Sequence, residues 1–286
     1  MTQSTVAEVI ADSSDRMQAA GLSFGHACSS PWDEATALVL SVCELPDHID
    51  ALGQILSSGQ LAQIERLLNQ RIEARVPLPY LLGQVKFAGL DFLIEPGVVI
   101  PRSPIGELIQ QRFEPWLAHP PGQIIDLCCG SGCIGIATAL MFPDSELTLV
   151  DIDPQAVALS AKNVARHGLE ERTRVVCSDL WCDVPDQRFD LILTNPPYVD
   201  AADMSVLPPE YLHEPALGLA GGDDGLAIVR RILDQFEQRV SAQGLLVGEV
   251  GNSASALLRA YPRLPFFWPD LELGGEGVFL LAAEPG

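Results

Sequence analysis

The chain alternates strand-like and helix-like segments from about residue 101 onwards, and this alternation limits its possible folds more than any other feature. The apolar runs QIIDL, ELTLVD and FDLILT have the length of buried strands, whereas CIGIATALMF and PQAVALSAKNVARHG have helical patterns. Strands that alternate with helices build a mainly parallel sheet with helices on both faces. Such sheets bind ligands beyond the carboxyl ends of their strands, where the strand order reverses. We therefore expect an open α/β sheet whose functional residues follow its strands.

The two ends of the chain depart from this alternation. Residues 1–85 contain three segments with apolar side chains at three- and four-residue spacing, which predicts a small helical domain. Residues 86–100 predict a β-hairpin that links this domain to a sheet domain at 101–286. The final stretch FFWPDLELGGEGVFLLAAE predicts two strands joined at Gly274-Gly275. This terminal hairpin would add at least one antiparallel strand to the sheet.

The charge of the chain argues against a nucleic-acid ligand. Asp and Glu number 38 against 17 Lys and Arg, which gives a formal net charge of -21 over 286 residues. A surface that acidic repels a phosphate backbone, which proteins normally meet with clustered basic side chains. It would attract a basic protein partner, and it would also simply keep the protein soluble. Charge alone does not separate these two roles.

Cysteine usage and hydropathy predict a cytoplasmic protein with reduced thiols. The N-terminus is polar and acidic, and no apolar run is long enough to span a bilayer, so no signal peptide and no membrane association are expected. The seven cysteines are Cys28, Cys43, Cys128, Cys129, Cys133, Cys177 and Cys182. The cluster from 128 to 133 lacks paired C-x-x-C spacing and has no nearby histidine, so we expect no metal site.

A glycine-rich loop follows the first predicted strand. Gly130 to Gly135 match the pattern G-x-G-x-x-G, in which glycines let the backbone turn tightly and approach a ligand. The next strand ends in Asp151, roughly 20 residues further on, where an acid can hydrogen-bond ribose hydroxyls. These features predict a nucleoside-bearing ligand, and by themselves they fit a dinucleotide as well.

Two further carboxylates favour S-adenosylmethionine over a dinucleotide. Asp126 precedes the glycine loop, where it would attract the cofactor's cationic amino group and sulfonium and would repel a pyrophosphate. Asp179, after the third strand, could accept a hydrogen bond from the adenine amine. Capping of the following helices is the alternative role for both residues. The terminal antiparallel strand is also unlike a second mononucleotide-binding half.

The strand FDLILT ends in Asn195-Pro196-Pro197-Tyr198. Strand termination explains the prolines, but it does not explain the asparagine or the tyrosine. An amide or aromatic amine is a poor nucleophile unless its two N–H groups are held so that its lone pair faces the electrophile. Asn195 Oδ1 and the Pro196 carbonyl can accept these two hydrogens from a stiff, extended backbone. Tyr198 offers a flat face for stacking.

These motifs together resemble a known family. NPPY with DLCCGSGCIG and VDID is similar to the Rossmann-like, class I methyltransferases that modify adenine in nucleic acids or glutamine amides in proteins. The helical domain and the hairpin resemble the protein-glutamine branch. Release-factor enzymes of that branch carry a PRPDTE-type segment, whereas this chain has IPRSPIGELI at 100–109, which with the ending LGGEGVFLL resembles enzymes that act on the large-subunit ribosomal protein L-three.

The resemblance implies roles for particular residues. It implies a helical domain for substrate recognition, a methyltransferase domain that uses S-adenosylmethionine, and a glutamine clamp at Asn195, Pro196, Pro197 and Tyr198. The residues it implies for cofactor binding are Asp126, Cys128, Cys129, Gly130, Ser131, Gly132, Asp151, Ile152, Asp179, Leu180 and Asn195. At position 129 the family's motif usually has a threonine, so no hydroxyl contact is expected from the cysteine here.

Several alternatives stay open at this stage. Glutamine methylation of a release factor shares the chemistry, and the segment 100–109 argues against it. Adenine methylation requires binding a nucleic acid, which the charge disfavours. A dehydrogenase would leave NPPY unexplained, and a non-enzymatic binding module would leave both motifs unexplained. Arg102, Glu107 and His213 could orient a substrate or serve local structure, and Glu249 at a strand end has no assigned role.

Overall fold

The computed structural model describes residues 4–272, 274–275 and 277–283, and it divides the chain into two compact units. The first unit extends to Val85 and also contains Pro208–His213, a segment from the second half of the chain. The second unit contains Lys86–Leu207 and the residues from Glu214 onwards. The helical unit therefore includes a piece of chain that lies beyond the predicted catalytic motif.

The first unit is helical because its segments carry good start signals and one apolar face. Its helices are α1 (Val6–Ala19), α2 (Pro31–Cys43), α3 (Ser58–Glu73) and α4 (Leu78–Leu82). Capping boxes at Thr5 and Ser57 satisfy the first amides of α1 and α3. Ile10, Leu38 and Leu68 are buried in the core that the helices share.

A short hairpin follows. Strands β1 (Gln84–Phe87) and β2 (Leu90–Leu93) form a two-stranded sheet. The turn residues Ala88 and Gly89 both have positive φ, as a two-residue hairpin turn requires.

The second unit is a six-stranded sheet in the order β5-β4-β3-β6-β7-β8. Its strands are β3 (Gln123–Leu127), β4 (Glu146–Asp151), β5 (Thr173–Cys177), β6 (Phe189–Thr194), β7 (Val240–Glu249) and β8 (Val278–Ala282). Its helices are α5 (Ile105–Gln110), α6 (Cys133–Met141), α7 (Pro154–Arg166), α8 (Ala201–Met204), α9 (Ala227–Leu233), α10 (Phe236–Arg239) and α11 (Ala254–Ala260). All neighbouring strands are parallel except β7 and β8. The predicted α/β class is confirmed.

The terminal antiparallel strand is present, but its hairpin partner is shorter than predicted. Phe267 makes a single bridge to Leu280 in place of a full strand. Residues 273 and 276, next to the expected turn, lie outside the described part of the chain. Because β8 pairs with β7 over five residues, the sheet edge is nonetheless antiparallel.

The sheet topology places several strand ends together. Strand β3 has β4 on one side and β6 on the other, so the chain order reverses at β3. This reversal opens a crevice at the carboxyl edge of the sheet. Asp151, Asn195 and Glu249 lie at or directly after the carboxyl ends of β4, β6 and β7. Among the described residues, every helix is too short or too polar to cross a membrane.

Candidate active site

The glycine loop between β3 and α6 has the tight conformation that its sequence predicts. Cys128, Gly130 and Gly132 have φ of 59°, 54° and 79°, in the left-handed region. Asp151 Oδ2 accepts a hydrogen bond from the Gly130 amide at 2.8 Å, and Oδ1 accepts one from the Asp153 amide at 3.0 Å. Burial raises the pKa of Asp151 in spite of these two donors. The carboxylate thus holds the loop and keeps further lone pairs for a ligand.

Asp126 is fully buried and only half satisfied. Its Oδ2 accepts from the Gly135 amide of α6 at 2.9 Å, so the alternative capping role is real for one oxygen. Its Oδ1 has no hydrogen-bond partner among the described residues. Gly135 allows this approach, because a Cβ there would lie 3.0 Å from Asp126 Cβ and 3.1 Å from its Oδ2. Burial, with the charge of Asp151 adding to it, raises the pKa of Asp126 to about 8.

A buried carboxylate oxygen without a donor is costly in the free protein. A ligand that brings a positive charge and N–H donors would satisfy Asp126 Oδ1, whereas an anionic ligand would make the cost larger. The buried acceptor at Asp126 therefore fits the cationic amino acid end of S-adenosylmethionine.

The residues near the predicted adenine site differ in their exposure and in their contacts. Asp179 Oδ2 accepts from Arg231 Nη2 of α9 at 2.8 Å, a half-exposed ion pair that sequence reasoning did not anticipate. Leu180 has φ of 53° and its side chain packs in the core. Ile152, directly after Asp151, is 49% exposed. An apolar surface is therefore available beside the acid that is predicted to bind the ribose.

The cysteines of the loop are structural in character. Burial is the main cause that raises the thiol pKa of Cys128 and Cys129 well above its ordinary value. Both thiols are free. No cluster of His, Cys, Asp and Glu within the described ranges has the arrangement of a metal site.

Asn195 and Pro196 offer two acceptors at the end of β6. Thr194 Oγ1 donates to the Leu127 carbonyl at 3.0 Å, which ties this strand end to β3. Asn195 is half-buried and Pro196 is buried. Within the described part of the chain, neither the Asn195 amide nor the Pro196 carbonyl forms a hydrogen bond. Both acceptors of the predicted clamp are therefore uncommitted.

Tyr198 is held by residues far away in the sequence. Its hydroxyl donates to Glu249 Oε1 at 2.7 Å, and its carbonyl accepts from Ser253 Oγ at 3.2 Å. A Cβ on Gly251 would lie 2.5 Å from the ring atom Cε2, and one on Gly221 would lie 2.7 Å from the tyrosine Cα. The glycine clusters AGGDDG and EVGNS were the available signal for this cradle.

The remaining candidates make structural contacts. Glu107 Oε1 accepts from the Glu272 amide at 3.0 Å, and His213 Nε2 lies 2.9 Å from the Ala74 carbonyl inside the helical unit. Arg102 donates to both oxygens of buried Glu214 at 2.6 and 2.7 Å. The guanidinium of Arg102 is thus engaged by the protein itself.

The parallel sheet with an antiparallel last strand, a glycine loop after β3 and an acid after β4 is a fold that this chain shares with methyltransferases. The family model described as "Methyltransferase small domain" matches residues 108–214. The hMettl16 catalytic domain has a TM-score of 0.55 and 17% identity over 86% of this chain and 91% of that one. A methyltransferase from Pyrococcus furiosus has a TM-score of 0.52 and 16% identity, with coverage of 80% and 100%. At these identities the two structures show the fold.

Curated relatives define the family. A "Ribosomal protein uL3 glutamine methyltransferase" of Francisella tularensis is 43% identical over 284 residues, 98% of this chain and 90% of the relative. A protein of the same name from Xanthomonas campestris is 41% identical over 279 residues, 96% and 90% of the two chains. The chain belongs to the family of ribosomal protein uL3 glutamine methyltransferases, and it is an enzyme that transfers methyl groups. The resemblance predicted from the motifs is confirmed.

Proposed function

We propose that this enzyme uses S-adenosylmethionine to methylate the side-chain amide nitrogen of a glutamine in the large-subunit ribosomal protein uL3. The observation that carries the proposal is the uncommitted pair of acceptors, Asn195 Oδ1 and the Pro196 carbonyl, at the same sheet edge as the half-satisfied Asp126. The names of the two relatives supply the substrate.

Residues at the carboxyl ends of β3, β4 and β5 would hold the cofactor. Asp126 Oδ1 would accept from its amino group, Asp151 from the ribose hydroxyls, and Asp179, oriented by Arg231, from the adenine amine. Ile152 would cover one adenine face with its exposed side chain. When bound, S-adenosylmethionine supplies an electrophilic methyl group on a sulfonium sulfur.

Asn195 and Pro196 orient the nucleophile. Their two oxygens accept the two amide hydrogens of the glutamine, which leaves the nitrogen lone pair directed away from them. Both residues precede a proline, so their backbone is restricted to extended conformations before the substrate arrives. Tyr198 stacks on the planar amide. A general base is unnecessary, because the alkylated nitrogen readily releases a proton to water.

The charge balance supports a basic protein substrate. With 38 acidic against 17 basic side chains, the enzyme attracts a cationic ribosomal protein and repels ribosomal RNA. We assign substrate recognition to the helical unit and catalysis to the domain at 101–286. We infer that the enzyme acts in the cytoplasm, because a ribosomal protein substrate would be made and assembled there.

The substrate is tested by incubating the enzyme with tritiated S-adenosylmethionine and, separately, purified uL3, a peptide release factor and a DNA or RNA duplex. We expect label on uL3 alone, and mass spectrometry should find one methyl group on a glutamine side chain. Label on the release factor instead of uL3 would overturn the substrate. Label on the nucleic acid would overturn the amide chemistry.

The clamp is tested with Asn195→Ala. Loss of one of two orienting acceptors should lower kcat by about 100-fold, while the Kd for the cofactor from calorimetry should change by less than about 3-fold. Asn252→Ala is the control, because Asn252 is exposed and its side chain donates to Asp203. Turnover of Asn195→Ala near the level of Asn252→Ala would contradict the clamp.

A further inference from the structure

We propose that Glu249 is a positioning residue for methyl transfer, which fixes the ring of Tyr198 through the phenol hydroxyl and joins it to Ser103. The inference rests on the proposed function, since it assumes that Tyr198 stacks on the substrate amide. Its geometry, however, lies entirely within the sheet unit and can be tested without substrate.

Glu249 lies beside the catalytic motif because of strand register. Thr194 pairs with Gly248, so the next residues along β6 and β7 are Asn195 and Glu249. The Glu249 side chain is buried at the carboxyl edge of the sheet, with only 6% of the residue exposed. A carboxylate in this position is adjacent to the clamp without being part of it.

Both oxygens of Glu249 are occupied by hydroxyl groups. Oε1 accepts from the Tyr198 hydroxyl at 2.7 Å and Oε2 accepts from Ser103 Oγ at 2.6 Å. No ion pair to Glu249 occurs in the described ranges. Because each oxygen already accepts a hydrogen bond from the protein, Glu249 acts through Tyr198 and does not serve as a base for the substrate.

The hydrogen bond to Glu249 and the contact with Gly251 together restrict the ring. A hydroxyl bound to a carboxylate forms a shorter and stronger hydrogen bond than one bound to a neutral acceptor. Gly251 lies against the ring at Cε2, where any side chain would collide. A tyrosine has only two side-chain torsions, so one anchor at its tip and one close contact at its edge define the ring plane relative to Asn195.

Burying the carboxylate is unfavourable by itself. Burial raises the pKa of Glu249, and the hydrogen bonds from Ser103 and Tyr198 oppose this effect. An apolar side chain at this position would avoid the desolvation cost. A buried carboxylate whose direct partners in the described part of the chain are two hydroxyls therefore serves orientation better than it serves stability.

Ser103 connects this network to the segment 100–109. Its Oγ donates to Glu249 and accepts from the Ile105 amide at 3.2 Å, at the start of α5. The segment that distinguishes this chain from release-factor enzymes is thus linked to the stacking tyrosine through one carboxylate.

A double-mutant cycle tests whether Glu249 acts through Tyr198. We expect kcat to fall about 30-fold in Glu249→Ala and about 10-fold in Tyr198→Phe, while the double variant is no slower than Glu249→Ala. Glu249→Gln should recover kcat to within about 5-fold of wild type, because its amide can accept from Tyr198 and donate to Ser103. Multiplicative losses in the double variant, or a Glu249→Gln enzyme as slow as Glu249→Ala, would overturn the proposal.

The network also has a readout that needs no substrate. The chain has four tyrosines, so [13Cζ]tyrosine labelling gives four NMR signals, and Tyr198→Phe identifies the one of interest. That signal should move towards the free-phenol position in Ser103→Ala and further in Glu249→Gln. An unchanged signal in Glu249→Gln would overturn the proposal. If the signal moves but the wild type methylates no glutamine, the network stands and the proposed function fails.

Discussion

The helical unit and the predicted cofactor site of the sheet unit both bury carboxylates, but the two places differ in whether a cation compensates the charge. In the helical unit, the Arg71 side chain is 1% exposed and forms ion pairs with Glu34 and Glu210. The distance from Arg71 Nη1 to Glu210 Oε1 is 3.3 Å. At the predicted cofactor site of the sheet unit, Asp126 and Asp151 accept hydrogen bonds from backbone amides, and no ion pair to either acid occurs among the described residues. Arginine thus compensates the buried acids of the helical unit, as Arg102 does for Glu214 in the sheet unit, but it does not compensate these two.

The pKa directions follow this difference. Although burial opposes it, the Ser23 amide, Arg75 and Arg71 lower the pKa of Glu210. Arg71 is shared between two acids, so burial still raises the pKa of Glu34. No cation among the described residues pairs with Asp126, and burial raises its pKa to about 8.

The comparison separates structural from functional acids. A buried acid with its own cation has its charge compensated in the free protein, even where one oxygen lacks a hydrogen-bond donor, as Glu210 Oε2 does. Removing the cation is then destabilising. A buried acid without one reduces stability until a ligand supplies the missing charge. On this criterion we propose a structural role for the Arg71 cluster and a ligand-binding role for Asp126.

The largest expected effect is on the stability of the helical unit. Arg71→Met leaves two buried carboxylates without their shared partner and should lower the free energy of unfolding by about 3–5 kcal/mol. Urea denaturation followed by circular dichroism measures this. Arg66→Met on the same helix is the control, since Arg66 is exposed. Equal midpoints for the two variants would show that the Arg71 cluster contributes no net stability.

The next effect concerns Asp126→Asn. Removing the charge should weaken cofactor binding by about 100-fold in calorimetry, because a charged hydrogen bond is lost in a buried site. Asp144→Asn, at an exposed position, should leave the Kd unchanged. An unchanged Kd in Asp126→Asn would contradict the assignment of the cofactor's amino group to this residue.

The same variant tests the uncompensated charge in the free protein. With a pKa of about 8 in the folded state, against an ordinary value near 4, the native wild type binds more protons than its unfolded chain between these limits. Its stability therefore falls as the pH rises from about 4 to 8, and asparagine removes this contribution. The unfolding free energy of the variant relative to wild type should rise over that window. A difference that does not change with pH would contradict the shifted pKa.

A smaller effect is expected at the tyrosine cradle. Gly251 has φ of 44° and contacts the Tyr198 ring, whereas Gly168 has φ of 66° and open space around it. Alanine at either position should cost about 1 kcal/mol of stability from backbone strain. Only Gly251→Ala should also lower kcat, by about 10-fold. Equal kcat values for the two variants would show that the ring position is not critical.

The smallest effect is expected at the exposed ion pairs of α9. Arg231 pairs with Asp179, and its neighbour Arg230 pairs with Asp224, with similar exposure. Alanine at either arginine should change stability by less than about 1 kcal/mol. Only Arg231→Ala should weaken cofactor binding, by about 2- to 5-fold. Equal cofactor Kd values for Arg231→Ala and Arg230→Ala would contradict the assignment of Asp179 to the adenine.

Much of the sheet and several candidate site residues could be predicted, because the sequence patterns that indicate them span only a few neighbouring residues. Asp151 and Asn195 each follow an apolar run directly, and the glycine loop matches a pattern within six residues. Strand ends of a parallel sheet share one edge, so these markers come together in any such fold. The predicted length of the strand before Gly274 was too great, because the apolar residues near Phe267 pack in loop conformation. Phe267 makes an isolated bridge to Leu280 there.

The partners of Glu249 could not be predicted in the same way. Glu249 also follows an apolar run, but Tyr198 reaches it because β7 lies beside β6 in the sheet. Ser103 reaches it because α5, which begins just after Ser103, packs against β7. The membership of Pro208–His213 in the helical unit was equally hidden, since Glu210 meets Arg71 through tertiary packing.

The sequence by itself determined the class of fold, the glycine loop and the place of Asn195 and Pro196 after a strand, since hydrophobic period, glycine and proline act over a few neighbouring residues. Only the tertiary structure decided which buried acids are compensated. Glu210 and Asp126 are both acids in a protein rich in them, and nothing adjacent in the chain separates them. Their difference depends on whether a distant arginine packs against the carboxylate, and that is a property of the folded chain.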